Sequence, residues 1–203
     1  MKIRPRLVTH QLRIGILAVQ GDYEAHARMV ERAGAEPVYV RRPADLAGLA
    51  GIILPGGEST THLKILTEEG LFGAVQKFAA AGGGIFGTCA GAILLAREVR
   101  NPAQTSLGLL NISILRNAYG RQLASEIHMG LTKLRSEPLE MVFIRAPIIE
   151  SVGEGVDVLA EDEGHPVLVR QGRILASTFH PELTADPAVH IFFLSLLSAG
   201  RAS

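Results

Sequence analysis

Gly83-Gly84-Ile85-Phe86-Gly87-Thr88-Cys89-Ala90-Gly91-Ala92-Ile93-Leu94-Leu95-Ala96 holds the one cysteine of a 203-residue chain and changes character at that residue. Ile85 and Phe86 form a short apolar run of the kind found in a buried strand, whereas Ala92 to Ala96 are residues of good helix propensity. The chain must therefore turn sharply at Cys89, and its small neighbours Gly87, Ala90 and Gly91 leave room for the turn. Strand, tight turn and helix in immediate succession is the repeating unit of an α/β fold.

The same unit recurs on either side. Arg13 to Val19 reads as a strand, followed by a helix with Ala25, Met29, Val30 and Ala33 on one face and Gly34 at its end; Pro37 to Val40 reads as the next strand. Gly51-Ile52-Ile53-Leu54 is an apolar strand leading into a helix from about Thr60 to Glu68, and a second helix spans Leu71 to Ala81. Apolar strands alternating with helices predict a mostly parallel sheet with helices on both faces, a single three-layer α/β domain over residues 12–203. From Leu109 to Ile149 the pattern changes to strands with loops. Val156 to Leu159, Pro166 to Arg170 and Arg173 to Ser177 predict an antiparallel extension with a turn at Gln171-Gly172. The final helix, Pro187 to Leu197, is apolar nearly throughout and is expected to pack in the core. Met1 to Gln11 are expected to form a flexible extension; Lys2, Arg4 and Arg6 lack the apolar run of a secretory leader.

Composition removes several function classes. Twenty basic and twenty acidic residues give zero formal charge, without the basic footprint of a nucleic-acid binder. No stretch approaches the roughly 20 apolar residues needed to cross a bilayer. A lone cysteine cannot form an internal disulfide, which makes the cytoplasm the expected compartment. Neither a CxxC pair nor an HExxH helix is present, so no metal site is expected.

Three stretches carry chemistry. A cysteine at a helix N-terminus faces free N–H groups and the positive end of the helix dipole, which favour the thiolate over a thiol of ordinary pKa about 8.5. On its own Cys89 fits equally a buried, inert core residue. Thr178-Phe179-His180-Pro181-Glu182 comes after the last predicted strand; residues two apart in an extended segment share a side, so Glu182 can orient the imidazole of His180. Nucleophile, base and orienting carboxylate are the three parts of a catalytic triad, whose members meet in space irrespective of chain order. His180 could otherwise be a surface turn residue before proline. The third stretch, Pro55-Gly56-Gly57-Glu58-Ser59-Thr60-Thr61, ends a strand in a glycine turn whose N–H groups can approach a developing oxyanion. Ser59 and Thr60 are equally suited to cap the helix beyond them. The ends of three predicted strands thus carry the three motifs, at the rim where open α/β sheets form their sites.

Together, Pro55 to Thr60, Gly87-Thr88-Cys89-Ala90-Gly91 and Phe179-His180-Pro181-Glu182 resemble the class I, triad-type glutamine amidotransferases, whose sheet is flavodoxin-like. Within that superfamily the chain is most similar to the glutaminase subunits of pyridoxal 5'-phosphate synthase. That likeness rests on Leu17-Ala18-Val19-Gln20-Gly21, Gly108-Leu109-Leu110-Asn111, Arg116-Asn117-Ala118-Tyr119-Gly120-Arg121-Gln122, Phe143-Ile144-Arg145-Ala146-Pro147 and His180-Pro181-Glu182-Leu183-Thr184. It spans about residue 12 to 197.

The resemblance implies Cys89 as nucleophile, His180 as general base and later acid, and Glu182 as its orienting group. It implies L-glutamine as substrate, held by Gly57, Glu58, Ser59, Arg116, Ile144 and Arg145, with oxyanion donors from Gly56, Gly57 and Ala90. A guanidinium such as Arg116 suits the fixed α-carboxylate of glutamine. The resemblance further implies no cofactor on this chain and a separate synthase (lyase) subunit, in a hetero-oligomer, that receives the ammonia. Two departures from the family's pattern are Leu115, where glutamate is common, and His128-Met129 in a region that is usually more acidic. Rival readings are a glutaminase serving another acceptor, a cysteine-elbow hydrolase or chaperone, and a non-catalytic subunit that kept the fold.

Overall fold

A computed structural model describes residues 11–117 and 125–198. Residues 1–10 of the expected extension, and Ala118 to Gln122 of the family-like run, lie outside the described residues.

The first half alternates strand and helix: β1 (Arg13–Leu17), α1 (Tyr23–Arg32), β2 (Glu36–Val40), β3 (Gly51–Leu54), α2 (Ser59–Glu68), α3 (Leu71–Ala80), β4 (Gly84–Thr88) and α4 (Ala90–Leu95). The second half is richer in strands: β5 (Ala96–Arg100), β6 (Leu110–Leu115), β7 (Ser125–Thr132), β8 (Arg135–Ile144), β9 (Ile148–Val152), β10 (Asp157–Asp162), β11 (His165–Gln171) and β12 (Ile174–Ser177), closed by α5 (Ala188–Ser198). Among the described residues, nine strands form one sheet in the order β2-β1-β3-β4-β12-β11-β10-β7-β8. From β2 through β12 every pairing is parallel, and from β12 to β8 every pairing is antiparallel. The expected mostly parallel sheet with an antiparallel extension is what the chain builds. No helix among the described residues is long and apolar enough to cross a membrane.

Continuous apolar strands arise here because both faces of the parallel part are covered. Successive side chains of β3 point oppositely: Ile52 and Leu54 join Leu66, Leu71 and Val75 of α2 and α3, while Ile53 joins Ala27, Val30, Val189 and Phe193 of α1 and α5. Phe86 and Phe193 are fully buried and pack at 5.7 Å between centroids, each removing from water an apolar surface that contributes about 1.5–3 kcal/mol. In α5 the buried side chains Val189, His190, Phe193 and Leu197 form one face, and Ile191 is half exposed, so only one side of this apolar helix enters the core.

The stretch expected as strands with loops divides between two sheets. β7 and β8 form a hairpin at the far edge of the large sheet, while β6 and β9 join β5 in a small three-stranded sheet that packs Leu110, Ile112, Ile114 and Ile149 into the first core. The small sheet delivers Arg116, whose N–H bonds to the Arg100 carbonyl, to the rim of the large one.

In register, Leu54 of β3 lies beside Gly87 of β4, and Ser177 of β12 beside Thr88. Three adjacent parallel strands therefore end at one level, and the turns that leave them share a rim. α4 lies tightly against this rim: a Cβ on Gly91 would sit 2.0 Å from the Leu54 carbonyl oxygen, an approach only glycine permits.

Candidate active site

Cys89 occupies the turn between β4 and α4 at φ 48° and ψ −102°, a conformation that residues with a Cβ rarely adopt and that costs on the order of 1–3 kcal/mol. It is held there by its own N–H, which donates to the Ser177 carbonyl at 2.8 Å. The strained turn lifts the sulfur out of the strand and into a cavity, with Sγ 4.0 Å from the Ile144 carbonyl.

His180 lies just past β12 and anchors its N–H on the Val142 carbonyl of β8 at 2.8 Å. Its Nδ1 meets Glu182 Oε1 at 2.8 Å, and both side chains are buried. Burial alone would lower the imidazole pKa; the Cys89 sulfur and the Glu182 carboxylate outweigh it and push His180 up to about 10. Burial likewise acts to raise Glu182, yet His26 and His180 hold its carboxyl well below the usual range. The resting arrangement at neutral pH is an imidazolium between a sulfur and a carboxylate. An ionised Glu182 accepts only, so Nδ1 of His180 carries a hydrogen and Nε2 is the nitrogen left for the sulfur.

A cavity of about 190 Å³ opens beside Cys89 and is lined by Gly57, Glu58, Ser59, Arg116, Ile144 and Arg145, together with Ile93 and Asn117. All six residues expected to touch substrate thus share one cavity with the sulfur. Larger hollows elsewhere, one by Leu131 and Glu161 and one by Leu46 and Leu197, bring together no nucleophile and base, so size does not locate the site. Of the expected oxyanion donors, Gly57 lies on the cavity wall; Gly56 packs beneath the His180 ring, and Ala90 is the first residue of α4, with an N–H that has no partner inside the helix. Arg116 is almost buried, and among the described residues its Nε has no partner, while Nη2 is 3.4 Å from Glu58. A guanidinium on the cavity wall is suited to take a carboxylate.

The helix cap differs from expectation. Glu58, and neither Ser59 nor Thr60, caps α2: its carboxylate accepts from the N–H of Thr60 at 3.1 Å and of Thr61 at 2.7 Å, and from both threonine hydroxyls. Ser59 already has helical geometry and spends its hydroxyl on Gln104 at 2.9 Å, a partner 45 residues away. A carboxylate reaches further than a hydroxyl and is favoured at the positive helix end. Although desolvation opposes it, this set of donors lowers the Glu58 pKa to about 2. Glu58→Gln is therefore expected to lower thermal stability at neutral pH by about 1 kcal/mol, the ordinary size of a cap, since half the side chain is exposed and screened. The contribution is complete above the unfolded carboxyl's value and is lost as pH falls through about 2, so melting curves of variant and parent should converge in acid.

Several groups at the site carry no recognisable local signal. His26 of α1 places Nε2 3.4 Å from Glu182 Oε1, and His190 of α5 lies behind it. Asp22 brings a carboxylate oxygen within 4.8 Å of the donor atoms of His180 and Glu182. His62 of α2 is buried under Gly57 and bonds through Nε2 to the Gln20 carbonyl at 3.2 Å. The apolar spacing of α1 and the His26 position on its buried face were the available signs, and they read as core.

The model of the SNO glutamine amidotransferase family matches residues 16–198. The chain belongs to this family. Pyridoxal 5'-phosphate synthase subunit PdxT of Koribacter versatilis is 52% identical to this SNO-family chain over 191 residues, covering 94% of it and 98% of the relative. The subunit of the same name from Solibacter usitatus is 53% identical over 191 residues, covering 91% and 99%. A crystal structure described as a glutamine amidotransferase superposes with a TM-score of 0.86 at 46% identity, covering 91% of this chain and 98% of that one. PurLQS of Thermotoga maritima, 20% identical with a TM-score of 0.68, shares the fold. Membership in an amidotransferase family sets aside the reading as a cysteine-elbow hydrolase or chaperone.

Proposed function

We propose that this chain is the glutaminase subunit of a pyridoxal 5'-phosphate synthase, releasing ammonia from L-glutamine and passing it to a separate synthase subunit. The observation that carries the reading is the Cys89 sulfur in the cavity lined by Arg116 and Arg145, with the buried His180–Glu182 pair beside it, in a chain about half identical to named synthase subunits.

The chemistry is set by the charges. His180 already carries the proton in the resting arrangement, and the Cys89 sulfur attacks the side-chain amide carbon of glutamine. Negative charge gathers on the carbonyl oxygen, where N–H groups of the Gly57 turn and of Ala90 are the donors; one such donor is worth on the order of 10²–10³ in rate. His180 then gives its proton to the departing nitrogen, ammonia leaves, and a glutamyl thioester remains on Cys89. The now neutral imidazole removes a proton from water, which attacks the thioester and frees glutamate. Glu182 stays ionised throughout and keeps the Nδ1 hydrogen in place. Arg116, on the cavity wall, holds the α-carboxylate of glutamine.

Ammonia released without an acceptor is wasted, and the relatives about half identical to this chain are named as subunits of a synthase. We assign the acceptor to a synthase subunit bound as a hetero-oligomer in the cytoplasm. Glutamate release measured with and without that subunit tests the assignment: a rise on its addition is expected, and equal rates would remove the coupling. A glutaminase serving another acceptor would respond to a different partner in the same assay.

A further inference from the structure

The carboxylate that orients His180 must itself be oriented, and its surroundings show how. Glu182 Oε2 is buried without a partner among the described residues, so Oε1 makes the polar contacts of this side chain. Oε1 meets two imidazoles, His180 at 2.8 Å and His26 at 3.4 Å. His180 is the residue to be positioned and cannot serve as the reference. His26 can: it is fully buried on α1, its Nε2 is 3.1 Å from Thr88 Oγ1, its Nδ1 is 3.0 Å from His190 Nε2, and its ring packs edge-on to Phe86. α1, β4 and α5 thereby converge on one imidazole directly behind the triad.

We propose that His26 is a positioning residue for the reaction: with His190 at its back, it clamps the Glu182 carboxylate in the orientation that holds His180 against Cys89.

An ionised carboxylate accepts only, so the His26 nitrogen facing Glu182 carries the hydrogen, shared with the Thr88 hydroxyl. The other nitrogen and His190 Nε2 have one hydrogen between them. Burial, with His26 beside it, pushes His190 down to about 3, so that ring is neutral and the contact joins a donor to an acceptor. Asp22 faces the triad from its open side, and Cys89 lies beyond His180, so the ionisable groups around Glu182 are these two together with His26, His180 and His190.

The clamp rests on the triad chemistry proposed for this site and is separable from it by experiment. Two amides divide the His26 imidazole between them. Gln places its nitrogen near the position of Nε2, facing Glu182, whereas Asn places its nitrogen near Nδ1, facing His190. In the complex with the synthase subunit, His26→Asn and His26→Phe are expected to lower kcat for glutamate release by about 10- to 100-fold, the size of an ångström-scale misplacement, with KM for glutamine little changed. Glu182 loses a donor that favours its ionised form, so its pKa rises and the acid limb of the kcat profile moves toward neutrality. His26→Gln is expected to recover most of the rate and to return the acid limb to its parent position.

A merely structural role would lower melting temperature without moving that limb. If Phe fails to fold, the Asn and Gln pair decides alone. Asn and Gln variants that both turn over at the parent rate, with an unmoved acid limb, would overturn the proposal, and so would a Gln variant as impaired as Asn. Cys89→Ala run alongside separates the two readings. A dead Cys89→Ala with unaffected His26 variants refutes the clamp alone, whereas an active Cys89→Ala refutes the triad and the clamp with it.

Discussion

Cys89→Ala is expected to reduce glutamate release to background, on the order of a 10⁶-fold loss in kcat as for other deleted nucleophiles, while leaving the protein folded and able to bind its synthase subunit. Folding should survive because alanine meets the same backbone demand at φ 48° and because the sulfur faces a cavity instead of packing in the core. The variant has a second, independent signature. The Cys89 sulfur raises the pKa of His180, so its removal should move the imidazole titration to lower pH, a shift readable by NMR on the His180 ring. A variant with lost turnover and an unmoved His180 titration would mean that sulfur and imidazole do not interact in the folded protein.

Gly56→Ala has the second-largest expected effect, for a steric reason. A Cβ at this position would lie 2.4 Å from Cε1 and 3.1 Å from Nδ1 of His180, well inside contact distance. The ring cannot recede without leaving Glu182, to which it is bonded at 2.8 Å, or losing its line to the sulfur. A displacement of about an ångström in a catalytic group can cost on the order of 100-fold in rate, and overpacking a filled site typically costs about 1–3 kcal/mol in stability. Steady-state kinetics and thermal melting should therefore both fall. Gly73→Ala is the control. It lies on the exposed face of α3 with nothing within 4 Å of the added Cβ, and it should leave turnover unchanged while stabilising the fold slightly, by about 0.4–1 kcal/mol. Equal behaviour of the two variants would show that the close approach of Gly56 to the imidazole is unimportant.

Much of this site is legible in the chain because its parts are local. Cys89 stands where an apolar strand changes to a helix, and His180 and Glu182 flank a proline after another strand; such motifs depend on near neighbours, and the parallel register then brings the strand ends to one level. The six expected substrate contacts converge on one cavity from three places: the turn after β3, the end of β6 in the small sheet and the end of β8. Packing between distant elements decides the parts that escape a linear reading. Nothing near His26 distinguishes it from an ordinary buried helix residue, since its meaning comes from Thr88 and from His190, 164 residues away. Ser59 looks like a cap because hydroxyl residues usually are, but Gln104 captures its side chain and the longer Glu58 reaches back to the helix N–H groups instead. The division of the second half into two sheets is equally remote from sequence pattern: β6 and β7 both alternate apolar with polar or small residues, and only their cross-strand partners decide which sheet each joins. Exposed Ile127, Met129 and Leu131 on one side of β7 show how alternation can put apolar residues outward as well as inward.

Labelling with an electrophilic glutamine analogue, with mass mapping of the product, tests the central chemistry most directly. The complex should incorporate one label per chain, on Cys89, with protection by L-glutamine and loss of labelling when His180 is replaced. A label on any other residue, or an unmodified Cys89 in a preparation that is turning over glutamine, would contradict it.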